Sequence, residues 1–194
     1  MIEQLIEYDK ELLRFLNSFH TATLDTVMMT LTETTSWLPL YIFMAYIVIK
    51  DFKHDSWFVL VGLVLTIVLA DQITSSLMKP YFARFRPSHE PTLEGLIHIV
   101  DGYRGGRFGF ASSHAANTFG VASFYVLLFR NVRKWIGLLF IWATLVSYTR
   151  IYLGVHYPGD ILVGAIVGAG CGYAGFWFMQ LIKSWYEKRQ ASTG

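Results

Sequence analysis

The stretch VLVGLVLTIVLA at residues 59–70 carries no charge, and only Gly62 and Thr66 interrupt its large apolar side chains. A second stretch, WIGLLFIWATLV at residues 135–146, is equally free of charge. Extended outward, each approaches the roughly 20 apolar residues that a helix needs to cross a bilayer. Three further segments come near the same length, so five spans are expected: residues 24–49, 56–78, 113–129, 135–153 and 160–182. The first is the most polar at its start, where Thr30, Thr32, Glu33, Thr34, Thr35 and Ser36 crowd together. That part is expected to lean on its neighbours or to lie in the membrane interface.

Composition agrees with the spans. Of 194 residues, 54% are hydrophobic and only 15% charged, and mean hydropathy is positive at +0.41. A soluble globule carries about 25% charged residues, and a disordered chain lacks this much aromatic surface. The net charge of +2 is too small to point to a nucleic-acid partner. The lone Cys171 has no intrachain partner for a disulfide. Glu3, Glu7, Asp9, Lys10, Glu11 and Arg14 stand where a cleavable signal would have an uncharged core, so insertion is expected from the internal spans. The chain therefore reads as an all-α, polytopic membrane bundle forming a single domain over residues 1–194. About five transmembrane helices occupy residues 24–182, with an amphipathic helix at residues 1–20. On that first helix Ile2, Leu5, Ile6, Leu12, Leu13, Leu16 and Phe19 share one stripe, fit for a membrane surface or for packing on the protein itself. Gly164, Gly168 and Gly172 recur every four residues in the last span, the spacing that lets helices approach closely in lipid. Asp71 is costly in hydrocarbon and is expected to face the bundle interior, sharing a helix face with Ser75.

Three polar clusters sit at the ends of spans. The polar loop at residues 79–112 opens with KPYFARFRP (Lys79 to Pro87), FASSH (Phe110 to His114) begins the third span, and TRIYLGVHYPGD (Thr149 to Asp160) joins the fourth to the fifth. Two spans separate the first two clusters from the third, so hairpin connectivity returns all of them to one face of the membrane. Together they supply Lys79, Arg86 and Arg150 as cations, His114 and His156, Asp160 four residues after His156, and Ser112 and Ser113 beside a helix N-terminus. Fixed cations with helix N-terminal amides suit a phosphate dianion and the charge that grows on a phosphoryl group in transfer. Of two histidines, one can attack phosphorus as a neutral imidazole and the other can protonate the leaving oxygen. Singly, each residue has a plainer reading: a snorkelling interface cation, a hydrogen-bonded histidine, a Tyr-Pro-Gly-Asp turn that caps a helix. A metal site fits poorly, because His89-Glu90 is followed by Pro91-Thr92-Leu93 with no second His at helical spacing and no carboxylate cluster. No metal and no cofactor is expected.

The three blocks, K-x6-RP, S-x-H and R-x5-H-x3-D, resemble those of the type 2 phosphatidic acid phosphatase superfamily, which also holds the soluble vanadium haloperoxidases and glucose 6-phosphatase. The resemblance implies that Lys79, Arg86 and Arg150 bind phosphate, with Ser112 and the Ser113 N–H completing the cradle. It implies His156 as the nucleophile that becomes a phosphohistidine, Asp160 as its orienting partner and His114 as the general acid. The sequence departs from the family pattern at Ala111, Ser113 and Thr149, where Pro, Gly and Ser are usual. The expected function is a metal-independent lipid phosphatase acting on a phosphate monoester or diphosphate of the lipid A, undecaprenyl diphosphate or phosphatidylglycerol phosphate type. Its expected partners are that substrate and membrane lipids, without nucleic acid or a protein partner. The alternatives are a lipid phosphotransferase and an inactive lipid-binding or transport protein; composition opposes the soluble haloperoxidases. With Lys79, Arg86 and Arg150 assigned to phosphate, the face opposite the clusters, bearing Lys50, Lys53, Arg130, Arg133, Lys134, Lys183, Lys188 and Arg189, is the richer in basic residues. The positive-inside rule then puts that face in the cytoplasm and the clusters outside, in a bacterial inner membrane.

Overall fold

The structure, a computed structural model, describes residues 2–192; residues 1, 193 and 194 of the expected domain, and residue 1 of the expected first helix, lie outside the described residues. All regular elements among them are helical, the one extended pairing being an isolated antiparallel bridge between Phe85 and Phe108. Helix α1 (Ile2–Asn17) precedes α2 (Ala22–Thr32), α3 (Leu38–Phe52) and α4 (Ser56–Asp71). From α4 the chain runs on through a π-helical segment, Gln72–Met78, into α5 (Lys79–Phe82). After an irregular stretch come α6 (Ser113–Phe129), α7 (Leu139–Tyr152) and α8 (Pro158–Ala191).

The expected span at residues 24–49 is corrected, because it breaks in two. Thr21 caps α2 by accepting from the Leu24 N–H at 3.2 Å, and Glu33 turns extended after Thr32. The polar run noted above causes the break. The Ser36 hydroxyl donates to the Thr30 carbonyl at 2.6 Å and the Trp37 indole to the Leu31 carbonyl at 2.8 Å, satisfying carbonyls that a continuing helix would have used. The polar loop expected from residue 79 begins after Phe82 instead. Lys79 and Pro80 continue the helical path, with the Lys79 N–H donating back to the Thr74 carbonyl, and the helix ends where Ala83 turns left-handed at φ 45°.

Among the described residues, three segments are long and apolar enough to cross a membrane: Thr34–Phe82, which holds both α3 and α4, Lys134–Tyr152 and Pro158–Ala191. Their outward faces carry side chains that water would not solvate favourably, among them Ile42 at 61%, Leu60 at 60% and Ile166 at 64% exposed. α6 is the central helix, packed against α8, α4 and α7. The glycine stripe explains its closest contact: a Cβ on Gly164 would lie 2.5 Å from the Ser112 carbonyl, and one on Gly168 would overlap the Ala116 carbonyl. α1 packs on the protein through one face and leaves another exposed. Leu13 is fully buried and the Asn17 amide donates to the carbonyls of His98, Ile151 and Tyr152, while Ile2, Leu5 and Ile6 remain exposed.

Candidate active site

Every cluster singled out in the sequence meets at one end of the bundle. His156 lies in the short turn between α7 and α8 and is 1% exposed. Its Nδ1 faces Asp160 Oδ2 at 3.2 Å and its Nε2 faces Arg86 Nη1 at 3.0 Å. A guanidinium can only donate, so Nε2 carries the lone pair and the ring proton sits on Nδ1, toward the carboxylate. Burial, with Arg86, Arg150 and Lys79 nearby, holds the imidazole well below its usual value, which keeps it neutral. Asp160, on the first turn of α8, is fully buried and also accepts from the Tyr157 N–H at 3.0 Å. Gly109 closes over the pair: a Cβ there would meet both Arg86 Cγ and Asp160 Oδ2 at 3.1 Å.

The cations arrive from separate elements. Arg86 belongs to the extended piece that pairs with Phe108 and is fixed by donating to the carbonyls of Phe108 and Val155, each at 3.2 Å. Burial and the neighbouring Arg150 push its guanidinium down from the usual value. Arg150, at the end of α7 and 2% exposed, donates to Thr32 Oγ1 at 2.7 Å and to the Tyr103 hydroxyl at 3.0 Å. Lys79 comes from the π-helical side, where Thr74 and Ser75 point the same way. Its Nζ donates to Ser113 Oγ at 2.6 Å and to Ser75 Oγ at 3.3 Å, and Ser75 in turn donates to Asp71 at 3.1 Å. A π segment widens the turn and is frequent at functional sites; here it brings these side chains to one face.

Ser112 is the N-cap of α6, its hydroxyl 3.5 Å from the Ala115 N–H, so the first turn of α6 points its amides at the same region. His114, the second residue of α6, is within electrostatic reach of His156, Arg150, Arg86 and Lys79. It also forms the wall of a cavity of about 430 Å³ that continues between α3, α4, α6 and α7 past Val121 and Tyr125 to Trp142. From His114 to Tyr125 along α6 is about 16 Å at 1.5 Å per residue. A polar site with surplus positive charge thus lies beside an apolar slot that His114 borders.

The PAP2 superfamily model matches residues 56–184, from the start of α4 into the last turns of α8. The chain belongs to that superfamily. A PAP2 relative, the lipid A 4′-phosphatase of Bacteroides thetaiotaomicron, is 41% identical over 199 aligned residues, covering 100% of this chain and 85% of its own. Among solved structures, Aquifex aeolicus LpxE superposes with a TM-score of 0.65 at 28% identity, covering 85% of this chain and 92% of that one. The transmembrane PAP2-type phosphatidylglycerolphosphate phosphatase of Bacillus subtilis superposes at 0.61 over 95% of this chain and 87% of its own; at 21% identity it speaks to the fold alone. The chain is accordingly an integral membrane protein of the PAP2 fold.

Within this PAP2 site, Lys79, Arg86, Ser112, Ser113, His114, Arg150, His156 and Asp160 all come together. Sequence reasoning missed the residues that hold them. Arg84 donates to Asp160 Oδ1 at 2.9 Å, Thr32 and Tyr103 seat Arg150, and Thr74 lies 3.0 Å from Ser113 Oγ. Arg84 had a readable signal: it stands two residues before Arg86, so in extended backbone the two share a face. At the departure from the family pattern, Ser113 adds a hydroxyl that bonds Lys79, so the extra group organises the cation. Among the described residues, no group of three or more His, Cys, Asp or Glu side chains converges in a way that could hold a metal ion.

Proposed function

We propose that this PAP2 lipid phosphatase acts on the 4′-phosphate of lipid A, at the outer face of the membrane that it spans with about five helices, through a phosphohistidine on His156. The observation that carries the reading is an apolar slot, bordered by His114, beside the Arg86–His156–Asp160 arrangement. A phosphate held by Lys79, Arg86, Arg150 and the first amides of α6 leaves its lipid body to follow the slot or the surrounding lipid. The relative from Bacteroides thetaiotaomicron, similar over the whole chain, favours lipid A over the other candidates.

In the first step the bound phosphate dianion offsets the surrounding cations so that His114 holds a proton, His156 Nε2 gives its lone pair to phosphorus, the bond from phosphorus to the sugar oxygen breaks, and His114 delivers its proton to that oxygen. Asp160 accepts the Nδ1–H and stabilises the imidazolium character of the phosphorylated ring. In the second step His114, now neutral, takes a proton from water as the water oxygen attacks phosphorus, and the P–N bond breaks to return neutral His156 and phosphate. The fixed cations hold the charge that builds on the transferring group in both steps. This mechanism draws its positive charge from side chains. The outward placement of the site rests on the basic residues at the opposite end of the bundle, including Lys50, Arg130, Arg133 and Lys183.

The test is phosphate release by the purified protein in detergent from lipid A, undecaprenyl diphosphate and phosphatidylglycerol phosphate, each with and without EDTA. Release from lipid A in preference to the others, unchanged by chelator, is expected. Preference for a diphosphate would overturn the substrate assignment, and loss on chelation with rescue by Mg²⁺ or Zn²⁺ would overturn the mechanism.

A further inference from the structure

The buried carboxylate behind the nucleophile is itself held from outside the site. Asp160 Oδ2 is used by His156 and the Tyr157 N–H, and Oδ1 accepts from Arg84 Nη1 at 2.9 Å. Arg84 has a second carboxylate: its Nη2 donates to Asp9 Oδ2 at 2.8 Å. Its guanidinium also lies over the Tyr157 ring, 3.9 Å from the centroid. Asp9 belongs to α1, and its other oxygen accepts from the Gly159 N–H at 2.8 Å, on the first turn of α8. A carboxylate is well placed there, among the unpaired amides at a helix start. An unbroken series therefore runs from α1 through Asp9, Arg84 and Asp160 to the ring nitrogen of His156. The N-terminal half of α1 meanwhile leaves Ile2 at 75% and Leu5 at 63% exposed, a surface suited to lipid.

We propose that Asp9 and Arg84 are positioning residues that latch the interfacial helix α1 to the nucleophile, setting the orientation of Asp160 and so of His156. The proposal rests on the reading of His156 as nucleophile. Removal of Arg84 leaves Oδ1 of a fully buried carboxylate without its cation, free to turn away from Nδ1. Removal of the Asp9 charge leaves Arg84 attached at one end only. Neither residue meets the reacting phosphate, so the chemical step suffers and substrate capture does not.

The test is steady-state kinetics of the full chain in detergent micelles containing lipid A, for D9N, R84Q and the double variant, with His156→Ala as reference and thermal stability measured in parallel. Partners that orient an imidazole from behind it typically contribute about 10- to 100-fold. R84Q is therefore expected to lose about that much in kcat and D9N less, each with KM within about twofold of the parent. Because the two act in series, the double variant should be no slower than R84Q alone. Gly159→Ala gives an independent variant that alters no charge, since its Cβ would lie 2.8 Å from Asp9 Oδ2 and displace it; it should reproduce D9N. Any of three results overturns the latch: a rise in KM with kcat intact, losses that multiply in the double variant, or lowered melting temperature with parental kcat. Turnover by His156→Ala would instead remove the underlying site reading, so the two failures are distinguishable, and D9N keeps the test open should R84Q not fold.

Discussion

Two ion pairs in this bundle have the same geometry on paper, an arginine nitrogen 2.9 Å from an aspartate oxygen, at opposite ends of the helices. At the site end, Arg84 meets Asp160, which is fully buried and already engaged with His156. At the other end, Arg133 meets Asp51 through both carboxylate oxygens, with side chains 29% and 23% exposed. Water can replace either partner of the second pair, so that pair is worth little. Arg84 is itself 24% exposed, so the difference lies in Asp160, which water does not reach: breaking that pair strands a buried carboxylate. Distance alone therefore says little about what an ion pair does. Burial, and what the carboxylate is otherwise holding, decides it.

The sharpest way to break the contrast is at the residue that the buried end serves. His156→Ala is expected to remove turnover, and wild type given phosphorus-labelled substrate should trap label that is labile to acid and stable to alkali. Full turnover by the variant would leave the buried network with no chemical purpose. The depressed proton affinity of His156 carries a second signature. The folded ring stays neutral, whereas the unfolded ring takes a proton below about pH 6.5, so acid favours the unfolded state. Wild-type stability should fall as pH drops through that value, and His156→Gln should show a shallower dependence; equal slopes would mean that the ring is not desolvated.

The second histidine separates charge stabilisation from proton delivery. An alkoxide leaving from a monoester needs its proton far more than a phosphate leaving from a diphosphate, because phosphate is already a stable anion near neutral pH. His114→Ala should slow monoester hydrolysis by about 10² more than diphosphate hydrolysis, the usual scale of general acid catalysis. Equal losses on the two substrates would assign His114 to binding or structure.

What the sequence disclosed follows the range of the forces involved. Hydropathy and spacing are local, and they delivered the apolar helices, the face shared by Asp71 and Ser75, the glycine contact of α8 with α6, and the co-location of Lys79, Arg86, His114, Arg150, His156 and Asp160. The break at Glu33 was visible only as polarity, because what ends α2 is a set of side-chain bonds to its last carbonyls. The supports of the site were hidden for a different reason. Thr32 lies 118 residues from Arg150, Tyr103 lies 47 from it, and Asp9 lies 75 from Arg84. No periodicity connects residues so far apart, and only the folded packing joins them. The Ser113 hydroxyl lies between these cases: the departure from glycine was legible, but its bond to Lys79 depends on the π segment that carries Lys79 and Ser75 to it.

The smallest expected effect tests the other half of the contrast. Asp51→Asn keeps the shape of the side chain and removes the charge facing Arg133, at the end of the bundle away from His156. Both side chains keep access to water, so the Arg133 guanidinium regains solvent on losing its partner, and the pair surrenders the entropy of two fixed side chains. Neither residue bonds to any group of the site, and α3 and α7 remain joined to the bundle by Met44, Ile47 and Trp142 in its apolar core. Melting temperature in detergent and kcat on lipid A should both match the parent, at low salt as well as at high. A loss of kcat in Asp51→Asn comparable to that in R84Q would show that the exposed pair reaches the site through the length of the bundle, and burial would then no longer separate the two ends.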